Sequence, residues 1–126
     1  MEFGTNKPIY LHIYDIVVER IILGAWHEGD RVPSVRELAV ELQVNPNTVM
    51  RAYDALCQGG IITPSRGIGY FISEGARERA LAESRREFVE RDLMELFRRM
   101  ETLGFTPNEL TELYTNYQKR ERDENK

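Results

Sequence analysis

The apolar residues between positions 8 and 25 recur at the spacing of one helix face. The segment PIYLHIYDIVVERIILGA therefore predicts a first helix over 8–25. Pro8 suits the first helical position, where its missing N–H is harmless, and Gly24 marks the expected end. The predicted apolar stripe consists of Ile9, Ile13, Ile16, Val17, Ile21 and Leu23.

Two shorter helical patterns follow a turn with a short extended piece at 27–33. Ser34 and Glu37 have the spacing of a capping box, and the helix after them is expected to run to about Leu42. Asn45 as N-cap and Pro46 as first residue then predict a third helix over about 46–58, ended by two glycines. The expected buried residues are Val35, Leu38, Ala39 and Leu42 in the second helix and Val49, Ala52, Tyr53 and Leu56 in the third.

Residues 61–73 combine two β-prone runs with a turn. IIT and YFIS flank PSRGIG, in which Pro64, Gly67 and Gly69 indicate the turn of a hairpin with a longer loop. The order of three helices and a hairpin predicts a winged helix-turn-helix domain over 1–74, with its wing at 64–70. The expected fold class is mainly α with one small β-hairpin.

Residues 75–126 predict two helices that form a C-terminal dimerisation region. A long charged helix is expected from 76 to about 102, broken by Gly104, and a second helix begins at Thr106 and Pro107, with fraying expected from 119 onward. The large apolar side chains are too many for two helices to hide from each other, which favours a dimer interface. The alternative is that they pack against the winged domain. They are Phe88, Leu93, Phe97, Met100, Leu103, Leu110, Leu113, Tyr114 and Tyr117.

The overall charge argues against a nucleic-acid partner, but its distribution does not. The chain has a net charge of −4 and a pI of about 5.3, whereas nucleic-acid binders usually carry a basic surface. Local charge matters more, because salt screens charges beyond about 8–10 Å. Arg51 is the only charged residue between 43 and 53, and Arg66 the only one between 61 and 73. Both segments are therefore locally positive.

The sequence favours neither catalysis nor metal binding. His12 and His27 have no partner at the spacing of a metal site or a catalytic triad, and Cys57 lies in a largely apolar stretch that favours a packed thiol. A single cysteine forms no internal disulfide, which fits a reducing compartment. The sequence contains no signal-peptide pattern and no apolar run that spans a membrane. We therefore expect a cytoplasmic protein that is not an enzyme and needs no cofactor.

The first turn of the third helix is suited to polar contacts. NPNT places Asn47 and Thr48 where a helix entering the major groove reads bases, since asparagine hydrogen-bonds adenine twice and a threonine methyl contacts thymine. Arg51 follows one turn later, within reach of a phosphate or a guanine. Pro46 keeps the helix start rigid. Free N–H groups at this helix end are also expected to favour a phosphate.

Further candidate contacts lie in the second helix and in the wing. Arg36 follows the Ser34 cap, near the DNA strand that this helix crosses. Arg66 stands at the hairpin tip beside Gly67, and an arginine on such a tip suits the minor groove, whose potential is negative. Gly67 lets the backbone of the tip approach a phosphate.

Plainer interpretations exist for each residue taken alone. The two N-cap residues act first as helix caps, Asn47 and Arg66 fit solvated surface positions, and Arg51 has Asp54 nearby as an ion-pair partner. Their joint occurrence at this spacing favours DNA contact. The candidate DNA-binding residues are Ser34, Arg36, Asn45, Pro46, Asn47, Thr48, Arg51, Arg66 and Gly67.

Residues 8–73 resemble the DNA-binding domain of the GntR family of bacterial transcription regulators. The matching pieces are GAWHEGDRVPSVRELA, V-N-P-N-T-V-x-R-A-Y, L-x-x-x-G-x-I and the wing R-G-x-G-Y-F. Cys57 departs from the pattern, because similar sequences often have glutamate there, without consequence for function. The resemblance implies DNA contacts at Arg36, Asn47, Thr48, Arg51, Arg66 and Gly67.

The short remainder of the chain resembles the YtrA-like group of this family, whose short helical tail serves in dimerisation. The resemblance implies a repressor. A two-fold homodimer is expected to bind a palindromic operator. The alternative is a winged-helix protein-interaction module without specific DNA binding. Whether a small-molecule effector exists is open. With no room for a separate ligand domain, an effector is expected in a groove between the C-terminal helices and the winged domain, or at the dimer interface.

Overall fold

The computed structural model describes residues 7–125, which divide into two compact units, one ending at Ser84 and the other beginning at Arg85. The elements confirm a mainly helical, winged helix-turn-helix fold followed by a C-terminal helical segment. The expected functional boundary between 74 and 75 stays a prediction. The elements are α1 (Ile9–Ile22), α2 (Val35–Leu42), α3 (Pro46–Gln58), β1 (Ile62–Ser65), β2 (Gly69–Ile72), α4 (Ala76–Glu87), a π-helical turn (Phe88–Asp92), α5 (Leu93–Leu103) and α6 (Pro107–Glu124).

Helix α1 begins one residue later than predicted. Pro8 is its N-cap, with a ψ of 144°, and not its first helical residue. Its carbonyl oxygen accepts a hydrogen bond from the N–H of Leu11 at 3.0 Å. At the other end, Gly24 has a φ of +85°, and the N–H of Ala25 donates to the carbonyl oxygen of Arg20 at 2.9 Å. This left-handed stop confirms the predicted helix end.

The centre of the predicted α1 stripe is buried, but its two ends are not. Ile9 is 47% exposed and Leu23 is 74% exposed. The prediction was wrong for these two residues, because Ile9 is the first residue of α1 and Leu23 lies just beyond its last. Ile16 is half-buried. The fully buried residues of α1 are Ile13, Val17, Val18 and Ile21.

Helices α2 and α3 form the helix-turn-helix as the capping signals predicted. The Oγ atom of Ser34 accepts from the N–H of Glu37 at 3.1 Å, and the Ser34 N–H donates to Glu37 Oε1 at 3.0 Å. Gln43 ends α2 in the left-handed conformation, with a φ of 57°. Val35 is half-buried. The two helices bury Leu38, Ala39 and Leu42 from α2 and Val49, Ala52, Tyr53 and Leu56 from α3, as predicted.

Tyr53 connects α3 to the loop that precedes α2. Its side chain is fully buried, and its hydroxyl donates to the carbonyl oxygen of Pro33 at 2.6 Å. Its ring meets the ring of Tyr70 edge-on, with the centroids 5.0 Å apart. Burial raises the pKa of the Tyr53 hydroxyl above its ordinary value.

Replacing Tyr53 by phenylalanine is expected to lower the free energy of unfolding by about 1–2 kcal/mol, because the Pro33 carbonyl loses its partner. The raised pKa adds a pH dependence: the unfolded chain releases the Tyr53 proton at lower pH than the folded chain, so stability falls as the pH rises above about 10. The Tyr53→Phe variant is expected to lose less stability than the wild type over the same rise in pH. Urea unfolding at about pH 7 and about pH 11 measures both effects. Equal stability of the two proteins at both pH values would contradict this role.

The hairpin has a shorter turn than the sequence predicted. Strands β1 and β2 pair antiparallel, with Ser65 opposite Gly69 at the closing end. Pro64 lies within β1, opposite Tyr70, and not in the turn. A proline is tolerated there because β1 is an edge strand, in which a backbone N–H on the outer side has no strand to pair with.

The predicted extended piece before α2 lies along the other edge of β2. Arg31 forms an antiparallel bridge with Phe71, and the Val32 N–H donates to the carbonyl oxygen of Tyr70 at 2.9 Å. Strand β2 is therefore held on both edges, which fixes the base of the hairpin against the helical core.

The predicted long charged helix is one helical run interrupted by the π-helical turn after α4. Gly104 ends the run with a φ of +75°, as predicted, and the Phe105 N–H donates to the carbonyl oxygen of Met100 at 2.9 Å. Thr106 and Glu109 then form a capping box that starts α6.

Helix α6 is longer than predicted. It continues to Glu124, so the expectation of fraying from 119 was wrong for residues 119–124. Opposite charges recur one turn apart in this stretch, at Lys119 and Asp123 and at Arg120 and Glu124. Such pairs at a spacing of four residues support a helix without a buried face.

Candidate nucleic-acid interface

The first turn of α3 presents polar side chains above a buried apolar face. Asn45 is the N-cap, Pro46 occupies the first helical position, and Asn47 is exposed. Thr48 is half-buried, and Val49, the next residue, is fully buried. The buried residue fixes the rotation of the helix, so the polar turn faces outward.

The backbone at positions 46–48 has no N–H group available to bind an anion, contrary to expectation. Pro46 has no N–H, the Asn47 N–H donates to Asn45 Oδ1 at 2.8 Å, and the Thr48 N–H donates to the Asn45 carbonyl oxygen at 3.0 Å. The prediction of free N–H groups was wrong, because the N-cap side chain and the proline use up these positions. Any contact made by this turn therefore comes from side chains, including the amide NH₂ of Asn45.

Arg51 stacks on an aromatic ring of α1. Its Cζ atom lies 4.1 Å from the ring centroid of Tyr10, a cation–π contact. Within residues 7–125 it forms no ion pair with Asp54, one of the alternatives left open by the sequence. Arg51 lines a depression of about 390 Å³ together with Pro8, Ile9, Tyr10, Asn45, Asn47 and Thr48. The starts of α1 and α3 are thus neighbours on one surface.

The start of α2 holds the Ser34 cap and, two residues later, the exposed side chain of Arg36. The hydrogen bond from the Ser34 N–H lowers the pKa of the Glu37 carboxyl group, with a further contribution from the Ser34 hydroxyl. Glu37 therefore remains ionised over a wide pH range and is committed to the cap. Arg36 is left as a cation directed into solvent.

The wing tip is a tight turn from Ser65 to Ile68. The Ile68 N–H donates to the carbonyl oxygen of Ser65 at 3.0 Å, and Gly67 has a φ of +75°, as the third position of a type II turn requires. Arg66 is exposed at the tip. Ile68 beside it is 59% exposed, so the tip presents one cation and one apolar side chain.

Tyr70 connects the wing to α3. Its ring packs on Tyr53, and its hydroxyl lies 3.8 Å from the sulfur of Met50, an exposed residue of α3. Burial raises the pKa of the Tyr70 hydroxyl. At the base of the wing, a Cβ atom on Gly69 would lie 2.9 Å from Arg31 Nε, so this arginine lies directly beside the hairpin. Wing and α3 therefore form one continuous surface.

Several acids of the first unit are engaged within the unit. Asp15 pairs with Lys7, and Glu41 pairs with Arg20 at 2.9 Å. Among residues 7–125, by contrast, the three candidate cations form no ion pair. These cations, Arg36, Arg51 and Arg66, therefore give the candidate surface a positive character that the net charge of −4 conceals.

Other chemistry is poorly represented in the described part of the chain. Residues 7–125 contain no group of three or more His, Cys, Asp or Glu side chains that could hold a metal ion. The pKa of the Cys57 thiol is raised by partial burial, which favours the unreactive protonated form. No helix in this range is long and apolar enough to cross a bilayer.

Comparison with known proteins identifies the family. The family described as "Bacterial regulatory proteins, gntR family" matches residues 9–72, which span α1 to β2. This chain belongs to the GntR family. Two similar proteins come from Bacillus subtilis. The uncharacterized regulator YhcF is 38% identical over 112 residues, which are 88% of this chain and 90% of YhcF. The transcriptional repressor YtrA is 40% identical over 92 residues, which are 73% of this chain and 70% of YtrA.

Solved structures of GntR regulators share the fold. One from Listeria monocytogenes superposes with a TM-score of 0.72 at 30% identity and covers 90% of this chain and 98% of its own. YtrA from Sulfolobus acidocaldarius gives a TM-score of 0.54 at 26% identity, covering 95% and 96%. These similarities confirm the resemblance to the YtrA-like group. The DNA-binding domain of AraR, solved with an operator, shares the winged fold at 20% identity and a TM-score of 0.53, covering 58% of this chain and 88% of its own.

This GntR protein is a DNA-binding transcription regulator and not an enzyme, as the sequence predicted. The structure adds four residues to the surface that the sequence did not single out, namely Tyr10, Arg31, Met50 and Ile68. Tyr10, Arg31 and Met50 belong to the surface because each contacts a residue distant in sequence, and no local sequence pattern reveals such a contact. Ile68 offered a local signal, since a large apolar residue at a glycine-rich tip is unusual.

Proposed function

We propose that this regulator is a repressor that binds a palindromic operator as a homodimer, with α3 in the major groove and the wing at the minor groove. The observation that carries this proposal is the exposed polar first turn of α3, set above a fully buried face. A rigid helix that presents Asn47 and Thr48 in its first turn is suited to reading base edges. A regulator of this kind works in the cytoplasm, where bacterial DNA is accessible.

The remaining candidate residues have roles that fit phosphates. The NH₂ of Asn45 is left to donate to a phosphate, since its Oδ1 is used by the cap, while Pro46 holds the turn rigid. Ser34 caps α2, because its Oγ accepts from the Glu37 N–H and its hydroxyl lies beside the Glu37 carboxylate, so a phosphate at this helix start is contacted by the neighbouring arginine. Arg36 lies next to it at the start of α2. Such contacts fix the register of the protein on DNA, and base contacts add the specificity.

The wing completes the proposed interface. Arg66 projects from a tip whose backbone turns at Gly67, and an arginine is favoured by the negative potential of a narrow minor groove. The exposed Ile68 lies beside it, where an apolar side chain can contact sugars or the edges of bases. The link through Tyr70 ties the position of the tip to that of α3.

The apolar surface of the second unit supports a homodimer. Not one side chain between residues 85 and 125 is buried within a single chain. Phe88, Phe97, Leu103, Leu113, Tyr114 and Tyr117 are each 45–61% exposed, and Leu93, Met100 and Leu110 are half-buried. Helices gain most of their stability from packing an apolar face, so these helices require a partner surface. A second copy supplies an identical surface, and a two-fold dimer matches a palindromic site.

Known relatives are consistent with repression. YtrA of Bacillus subtilis, 40% identical over 92 residues, is named a transcriptional repressor.

Repression is tested with a reporter gene whose promoter overlaps the preferred operator. Expression is expected to fall when the protein is produced and to recover with Asn47→Ala, which removes a proposed base contact. A rise in expression with the wild-type protein would show an activator. Unchanged expression despite operator binding in vitro would also contradict the repressor assignment.

A further inference from the structure

The stacking of Arg51 on Tyr10 brings two helices to one point of the surface. The guanidinium carbon lies 4.1 Å from the ring centroid, well within the range of about 6 Å over which a cation is attracted to an aromatic face. Tyr10 is half-buried, so its ring is held by α1, whereas Arg51 is exposed. The ring therefore restricts a long side chain that would otherwise sample many rotamers.

We propose that Tyr10 is a positioning residue that holds Arg51 against a backbone phosphate at the wall of the major groove, so that the first turn of α1 belongs to the DNA interface. The proposal rests on the proposed function of α3 as the helix in the groove. It assigns Arg51 to a phosphate and not to a guanine, two roles that its place in the sequence leaves open.

The dimensions of the groove favour the phosphate. The major groove is about 12 Å wide, and an α-helix with its side chains is about 10–12 Å across. Helix α3 therefore fills the groove, and an element beside its first turn meets the groove wall, where the phosphates lie. The first turn of α1 has this place, because Pro8, Ile9 and Tyr10 line the same depression as Asn47. An Arg51 side chain stacked on Tyr10 is directed toward that wall.

The chemistry of the turn leads to the same assignment. The backbone N–H groups of Asn47 and Thr48 are bonded to Asn45, so the helix end offers a phosphate no free donor at these positions. Arg51 supplies a permanent charge. A guanidinium placed over a ring face keeps the N–H donors at its edge available for phosphate oxygens.

The test is a double-mutant cycle on operator binding with full-length protein. Tyr10→Leu, Tyr10→Phe, Arg51→Ala and the Tyr10→Leu/Arg51→Ala double variant are titrated against the preferred operator and against a random duplex at several salt concentrations. Tyr10→Leu is expected to weaken binding by roughly 3-fold per half-site on both duplexes, the size of an exposed cation–π contact. Tyr10→Phe keeps the ring and is expected to bind like the wild type. Thermal unfolding of each variant confirms that the fold is retained.

The Arg51→Ala variants decide the assignment. Arg51→Ala is expected to weaken binding to both duplexes by a similar factor and to reduce the slope of log affinity against log salt by about 0.9 per phosphate contact. Tyr10→Leu is expected to add nothing in that background, because its effect passes through Arg51. An undiminished effect of Tyr10→Leu in the double variant would overturn the positioning role. A changed base preference with an unchanged salt slope would overturn the phosphate assignment.

These outcomes are separate from those of the proposed function. If the wild type fails to prefer any operator over the random duplex, the proposed sequence-specific function is wrong. The cycle on the random duplex still tests the phosphate contact, since binding to any duplex includes the phosphate term.

Discussion

Phe97→Glu combined with Leu113→Glu is expected to convert the regulator into a monomer that binds its operator at least about 100-fold more weakly. Phe97 is 45% exposed and Leu113 is 55% exposed within one chain, and both are proposed to be buried by a second copy. Burying a large apolar side chain contributes about 1.5–3 kcal/mol, and burying an unpaired carboxylate costs more. Loss of the second DNA-binding unit then removes the gain from bivalent binding, about 10²–10⁴-fold.

The measurement is sedimentation of the purified variants, followed by operator titration. The matched control carries two glutamates at polar, exposed positions of α6, Asn116→Glu and Gln118→Glu, and is expected to sediment and bind like the wild type. Glutamate is a good helix former, so neither change breaks the helices. A wild type that is already monomeric at concentrations that saturate the operator would contradict the proposed dimer, as would a double variant that remains dimeric.

Asn47→Ala is expected to weaken binding to the preferred operator by about 10- to 100-fold, because a side chain that hydrogen-bonds an adenine twice contributes about 1–3 kcal/mol of discrimination. Binding to a random duplex is expected to change far less. The preference for one base in each half-site is expected to disappear. The helix start survives the change, since its cap uses the backbone N–H of residue 47 and the side chain of Asn45.

Asn108→Ala is the matched control for this variant. Asn108 follows Pro107 in the first turn of α6, as Asn47 follows Pro46 in α3, and both are exposed. The control therefore removes the same side chain from the same helix position, outside the proposed DNA surface. It is expected to retain wild-type affinity and base preference. Equal losses from both variants, or a loss from Asn47→Ala that is the same on every duplex, would show that Asn47 reads no base.

Local signals in the sequence correctly predicted most of the helices and the hairpin. Ser34, Asn45 and Thr106 each begin a helix because a short side chain, alone or with a glutamate three residues on, satisfies N–H groups within one turn. The buried residues of α3 follow from their spacing alone. The errors at Pro8 and Pro64 concern residues whose local preferences fit two neighbouring positions. The helical end of α6 follows from opposite charges spaced four residues apart, a signal that a purely polar tail conceals.

The contacts within the candidate DNA-binding surface could be predicted from the sequence only in part. The sequence offers Asp54, one turn away, as an ion-pair partner for Arg51, but the structure places the guanidinium on the ring of Tyr10, in a different helix. The sequence also does not reveal that the first backbone N–H groups of α3 are already hydrogen-bonded to Asn45, because the residues that cap this helix are the same ones that suggest an anion site. Both features depend on how side chains meet after folding, which a one-dimensional spacing does not specify. The direct DNA contacts of the candidate residues stay predictions.

Selection of bound sequences from a random duplex pool, with the purified full-length protein at about physiological salt, tests the central proposal most directly. We expect enrichment of a palindrome with half-sites whose centres lie about 34–36 Å apart, one helical turn, or a multiple of that distance. Such a winner establishes specific recognition by a two-fold dimer. An enriched site without two-fold symmetry would contradict the dimer, and failure of a folded protein to enrich any sequence would contradict specific recognition by α3.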